Sequence, residues 1–172
     1  MKRSRTWMCA GMISGVLASS SCSQMTAKAP VKHEARESAP VYENRAYGFR
    51  FDLPEDWKGY QVVSEQWEGT TQAEPKRKEH GPKILLRDPR WTTAQPRQDI
   101  PIMVFTLAQW NEDLVVSAAP IGPSELGRNS QFVFALPPRY NYAFPEGYEE
   151  VENILKGKPL HTFAPGNAEI AK

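Results

Sequence analysis

Apolar and polar residues alternate through YGFRFDLPEDW, with Tyr47, Phe49 and Phe51 on one side and Gly48, Arg50 and Asp52 on the other. A period of two predicts a half-buried strand, stopped at Pro54. WKGYQVVSEQWEG predicts a second strand around Tyr60 to Trp67, and KILLRD a third, with the charged GTTQAEPKRKEHG between them as a loop. IPIMVFTL is the most apolar run of the domain and predicts a central strand, with Pro101 near its start where a missing N–H is tolerated. In AQWNEDLVVS the spacing of Leu107, Trp110, Leu114 and Val115 predicts a short packed helix. PIGPSELGRN reads as turn material and QFVFALP as a strand. PEGYEEVENILKG carries Tyr148, Val151, Ile154 and Leu155 at helical spacing, closed by Gly157. Both periods are satisfied by a single α+β domain, a largely antiparallel sheet with packed helices, whose core holds Phe49, Phe51, Ile102, Val104, Phe132 and Phe134.

Outside this domain the pattern changes. Lys2, Arg3 and Arg5 precede a mostly apolar run from Trp7 to Ala18, then Ser19, Ser20, Ser21 and Cys22. A charged start, a short apolar run and small residues are the layout of a secretory signal. The run falls short of the roughly 20 apolar residues that span a bilayer. The stretch resembles a bacterial lipoprotein signal, although Ser19 stands where Leu is preferred. That resemblance implies that Cys22 is acylated, with palmitate-type chains, and becomes the first residue of the mature chain. Plain secretion and an uncleaved anchor are the alternatives. Residues 1–21 are then a signal peptide and residues 22–41, polar and punctuated by proline, a flexible tether. The domain occupies 42–165, and 166–172 is expected to fray.

Cysteine usage and charge narrow the functional classes. There are two Cys, Cys9 and Cys22, so processing leaves one, which cannot form an internal disulfide. Acylation removes the liability of a lone thiol in an oxidising compartment. The 151 residues from 22 to 172 suffice for one domain with its own core. Without the three basic residues of the signal, 18 Lys and Arg face 20 Asp and Glu. A net charge near minus 2 gives no electrostatic reason to expect nucleic acid as a partner.

Tyr47, Gly48 and Phe49, followed by Phe51, Pro54 and Trp57, resemble the opening strand of PsbP-like domains. The resemblance implies an α-β-α arrangement and a non-catalytic accessory role. The later stretch from RQDIPIMVFTL to EEVENIL resembles an uncharacterised bacterial family, from which no catalytic residues carry over.

Signatures of chemistry are sparse. Gly122 and Gly127 do not make a phosphate loop, and no HExxH or Cys-rich metal set occurs, so no cofactor or metal is expected. The three His are isolated: His33 in the tether, His80 in the charged loop, and His161 after the last helix, whose C-terminal end it suits. Ser124 and Ser130 lack a nucleophile elbow. Asp88, Asp99, Glu125, Glu146 and Glu149 offer acids from which a hydrolytic pair could be drawn. The richer signal is a pair of irregular segments. RDPRWTTAQPRQD holds Arg87, Arg90, Trp91, Arg97 and Asp99, while GRN with PPRYNYAF adds Arg128, Arg139, Tyr140, Tyr142 and Phe144. Guanidinium forks and aromatic rings suit anionic or sugar-like ligands and the centres of protein interfaces. The expected binding surface is therefore Arg90, Trp91, Arg97, Arg139 and Tyr140. The sequence leads to a lipid-anchored, non-catalytic accessory or binding protein of the bacterial cell envelope. Its partners are the bilayer, through Cys22, and an envelope protein. An envelope hydrolase using carboxylates and a periplasmic small-ligand carrier are the alternatives.

Overall fold

The computed structural model describes residues 38–72, 74–112, 114–115 and 121–166. The expected signal, Cys22, His33 and most of the tether lie outside the described residues, as do residues 167–172 of the tail. Nine strands and two α-helices are described: β1 (Val41–Asn44), β2 (Phe49–Asp52), β3 (Gln61–Thr71), β4 (Lys78–Arg87), β5 (Ile100–Thr106), α1 (Leu107–Asn111), β6 (Leu114–Val115), β7 (Ser124–Arg128), β8 (Phe132–Leu136), α2 (Tyr148–Lys156) and β9 (Leu160–Thr162). A 3-10 turn at Glu55–Trp57 follows β2. The fold is mixed α+β with two antiparallel sheets, one ordered β1-β2-β9 and the other β6-β3-β4-β5-β8-β7.

IPIMVFTL is central, as its composition predicts, because β5 lies between β4 and β8 and both faces of the large sheet are covered. Ile100, Ile102 and Val104 turn to one face. There they join Ile84, Leu86 and Phe134, the small sheet's Phe49 and Phe51, Trp57 and Val151 of α2 in the main core. Met103 and Phe105 turn to the other face, with Trp67, Val133 and Ala135, where Leu107 and Trp110 of α1 pack on them. A strand buried on both faces has no polar positions to alternate with, which explains the unbroken apolar run. The small sheet is tied to the large one by Asn129, whose side-chain amide donates to the carbonyls of Tyr47 (2.8 Å) and Gly48 (3.2 Å). Of the six expected core residues five are buried, while Phe132 is half-buried at the core's edge, its ring edge-on to Tyr47.

Several elements differ from the sequence expectation. The helix expected through Val115 stops at Asn111; a capping box of Thr106 and Gln109 starts it, and residues 114–115 pair with Thr70 and Thr71 as β6. Much of the charged loop is strand, with β3 and β4 in register from Gln61↔Arg87 to Thr70↔Lys78. Ser124–Arg128, expected as turn, is β7, bulged between Glu125 and Gly127. His161 does not cap α2. It lies on β9 opposite Arg50, with its Nε2 3.0 Å from an Asp52 oxygen. Val41, at the expected end of the tether, already pairs with Asp52. Among the described residues no helix is long and apolar enough to cross a membrane.

Candidate functional site

The first irregular Arg segment leaves the end of β4 and returns at β5, beside the N-terminal end of α2. Asp88 follows the last residue of β4, and its carboxylate is buried, with 1% of the side chain exposed. A tight turn closes over it as the Trp91 N–H donates to the Asp88 carbonyl at 3.0 Å. Asp88 Oδ1 accepts from the Arg90 backbone N–H and Nε, both at 2.8 Å, and Oδ2 from Arg90 Nη2 and Arg97 Nε, both at 2.7 Å. From there the guanidinium groups reach α2. Arg90 Nη2 donates to both oxygens of Glu150 at 2.7 Å, and Arg97 Nη2 to Glu150 at 3.4 Å. Arg97 Nη1 donates to Glu146, and the Gln98 backbone N–H donates to the Glu146 carbonyl at 2.8 Å. Trp57 Nε1 completes Glu150 at 2.8 Å. Gly147 lets the two segments approach. Its φ is +82°, and a Cβ there would sit 3.0 Å from Arg97 Nη2.

This ionic latch fixes its own protonation. Burial alone would push the Asp88 carboxyl up, but hydrogen bonds from Arg90 and Arg97 and the charge of Arg90 outweigh it and hold Asp88 below the usual carboxylate range. Hydrogen bonds to Asp88 and then Glu150 raise Arg90, and the bond to Asp88 raises Arg97. Asp88 is thus held in its charged form, as are the two guanidinium groups that bond to it.

The expected binding residues divide. Arg90 and Arg97 are brought together, and both are engaged by carboxylates. Trp91, half-buried, lies under the Arg87 guanidinium at 4.1 Å, while Arg87 Nη2 donates to Asp99 at 3.0 Å. Tyr140 packs against the main core. It also lines, with Lys83, Arg97, Gln98, Asp99, Leu85 and the prolines Pro101, Pro137 and Pro145, a shallow open depression of about 400 Å³. Arg139 is exposed and stacks its guanidinium over the Tyr142 ring at 5.5 Å. Sequence reasoning missed Glu150, the hub on α2. The only trace in the sequence is its place among the acids of the helix's first turns, where the helix dipole favours them.

The acids considered for hydrolysis are engaged elsewhere. Asp88 and Glu146 belong to the latch, Asp99 pairs with Arg87, and Glu125 pairs with Arg128, whose hydrogen bond holds it below its ordinary range. Glu149, exposed, accepts from the neighbouring Tyr148 hydroxyl at 3.1 Å. A general acid for glycoside cleavage needs a raised pKa, and Arg pairing works in the opposite direction. His80 and the two Ser stand exposed on the surface. Among the described residues no three His, Cys, Asp or Glu side chains gather as metal ligands. Compared with protein-family models, curated proteins and solved structures, the chain gives no match.

Proposed function

We propose that this chain is a non-catalytic accessory or binding lipoprotein of the bacterial cell envelope. Acylated Cys22 holds it to the membrane, and its domain stands outside the cytoplasm, where it meets an envelope protein. The observation that carries the non-catalytic part is the engagement of Asp88, Asp99, Glu125 and Glu146 by Arg partners, with Asp88 and Glu125 held below the range of a proton donor. The anchor rests on the sequence from Lys2 to Cys22. In this reading residues 42–165 act as one domain of the α-β-α kind that the PsbP-like resemblance implies. Coverage of the large sheet by α2 on one face and α1 on the other supports it. The partner surface centres on Trp91, since Arg90 and Arg97 serve the latch, Tyr140 the core, and Arg139 stacks on Tyr142.

Two measurements test it. The intact mass of protein extracted from membranes should correspond to a chain beginning at an acylated Cys22, and Cys22→Ser should release the chain, because stable anchoring takes more than one acyl chain. An unmodified Cys22 refutes the anchor. Trp91→Ala should weaken capture of the envelope partner at least about tenfold with the folded fraction unchanged. Lower melting temperature with unchanged capture would refute the surface.

A further inference from the structure

The loop between β8 and α2 presents two aromatic rings to solvent on a backbone built to hold them there. Tyr142 is 71% exposed and Phe144 67%, the two highest values among the exposed large apolar residues described. Phe144 itself has φ +46° and Arg139, at the loop's neck, φ +55°, a region that non-glycine residues seldom occupy. Both sides of the loop are fastened. Asn141 Nδ2 donates to Glu152 of α2 at 2.6 Å, the Tyr142 and Phe144 N–H groups close turns onto Arg139 and Asn141, and Glu146 is held by Arg97. The Phe144 ring stands edge-on to Tyr148, 5.2 Å away. A loop under local strain that keeps apolar rings in water is poised for a contact the isolated chain does not make.

We infer that this tip, Tyr142 and Phe144 with Arg139 behind them, docks into the headgroup region of the same bilayer that holds the acyl chain of Cys22. The proposal rests on the anchor reading above. Size argues against a second copy or another protein as the occupant of the tip: two aromatic side chains bury at most about 300–500 Å², against about 800 Å² per partner in a stable interface. An interfacial anchor has no such requirement, since Tyr and Phe settle at the headgroup level and an Arg stem reaches back to phosphate. The chain outside the described residues supplies proximity. Residues 22–37 span at most about 55 Å even fully extended, while a domain of this size has a radius of gyration of about 14 Å. Any face can therefore reach the surface, and the tip decides which one stays. The net charge near minus 2 gives little attraction at long range, so tethering comes first and the aromatic contact then orients the domain.

The test uses the full chain, produced with its signal and reconstituted into vesicles of phosphatidylethanolamine and phosphatidylglycerol. Cys22 is acylated in this reading and Cys9 leaves with the signal, so Ala143→Cys, exposed between the two rings, gives a single labelling site that spares both. Glu68→Cys, exposed on β3, is the reference. An environment-sensitive dye at 143 should be quenched by nitroxide lipids at least about threefold more than at 68. Adding Tyr142→Ser and Phe144→Ser should abolish that difference while membrane retention and melting temperature stay unchanged. Equal quenching at both positions, with Cys22 acylated by mass, overturns the docking alone. Quenching that differs only when envelope proteins are added also overturns it, in favour of a protein partner. A mass without acyl chains overturns the anchor reading and this proposal together.

Discussion

Replacing Asp88 by Ala removes the one latch carboxylate that water cannot take over. The variant is best made in the Cys22→Ser chain, which carries no acyl group. Four hydrogen bonds at 2.7–2.8 Å converge on the Asp88 oxygens, one from a backbone N–H and three from guanidinium nitrogens. Breaking a buried ion pair by removing one partner costs about 3–5 kcal/mol. The lower end applies here, because the orphaned cations keep other partners: Arg90, 46% exposed, retains Glu150, and Arg97, 13% exposed, retains Glu146 and Glu150. The expected loss is therefore about 3 kcal/mol, a large share of the 5–15 kcal/mol typical of a domain. Glu146 offers the contrast. Its side chain is 64% exposed, so Glu146→Ala should cost no more than about 1 kcal/mol despite sharing Arg97. Urea unfolding at neutral pH, with the slope checked for constancy, measures both. Equal losses in the two variants, or a loss below about 1 kcal/mol for Asp88→Ala, would show that burial of this carboxylate does not set its worth.

Phe49→Ala, which empties a site in van der Waals contact with Phe134 at 4.6 Å between ring centroids, should cost about 3–5 kcal/mol by urea unfolding, and Phe132→Ala clearly less because its ring is half-buried. Gly147→Ala should cost about 1–2 kcal/mol from its left-handed backbone alone, and the loss should shrink when Arg97, which faces the new methyl, is shortened in the same chain; equal losses with and without Arg97 would exclude the steric part. Acidification should weaken the fold through Asp88: its folded pKa lies below the unfolded value of about 3.9, so its contribution is complete above that pH and is lost as pH falls through the folded value. Urea midpoints between pH 5 and 2 should accordingly fall less steeply in Asp88→Asn than in the parent chain, and parallel curves would contradict the shift.

What was legible in the sequence is what local period determines. β2 and α2 each carry an apolar face of the right period and β5 and β8 an unbroken apolar run, and the structure makes each the element that its pattern predicts. Elements whose identity depends on a distant partner were not legible. β9 has only Leu160 to bury in its three residues and is a strand because β2 offers it an unpaired edge. β7 contains a Gly and a bulge, and its pattern of exposure carries no strand signal until β8 is beside it. The same division runs through the candidate site. Clustering of Arg with aromatic residues was visible in the chain, and it suggested a surface open to ligands. Whether an Arg is free depends on which carboxylates the fold sets against it, and Glu146 and Glu150 stand about fifty to sixty residues from Arg97 and Arg90. With Arg90 and Arg97 paired to carboxylates of the protein itself, recognition falls to side chains that the fold leaves accessible, Trp91 among them. Tyr142 and Phe144 are the most exposed of the large apolar side chains described, and Phe144 and Arg139 take the left-handed backbone that non-glycine residues seldom occupy.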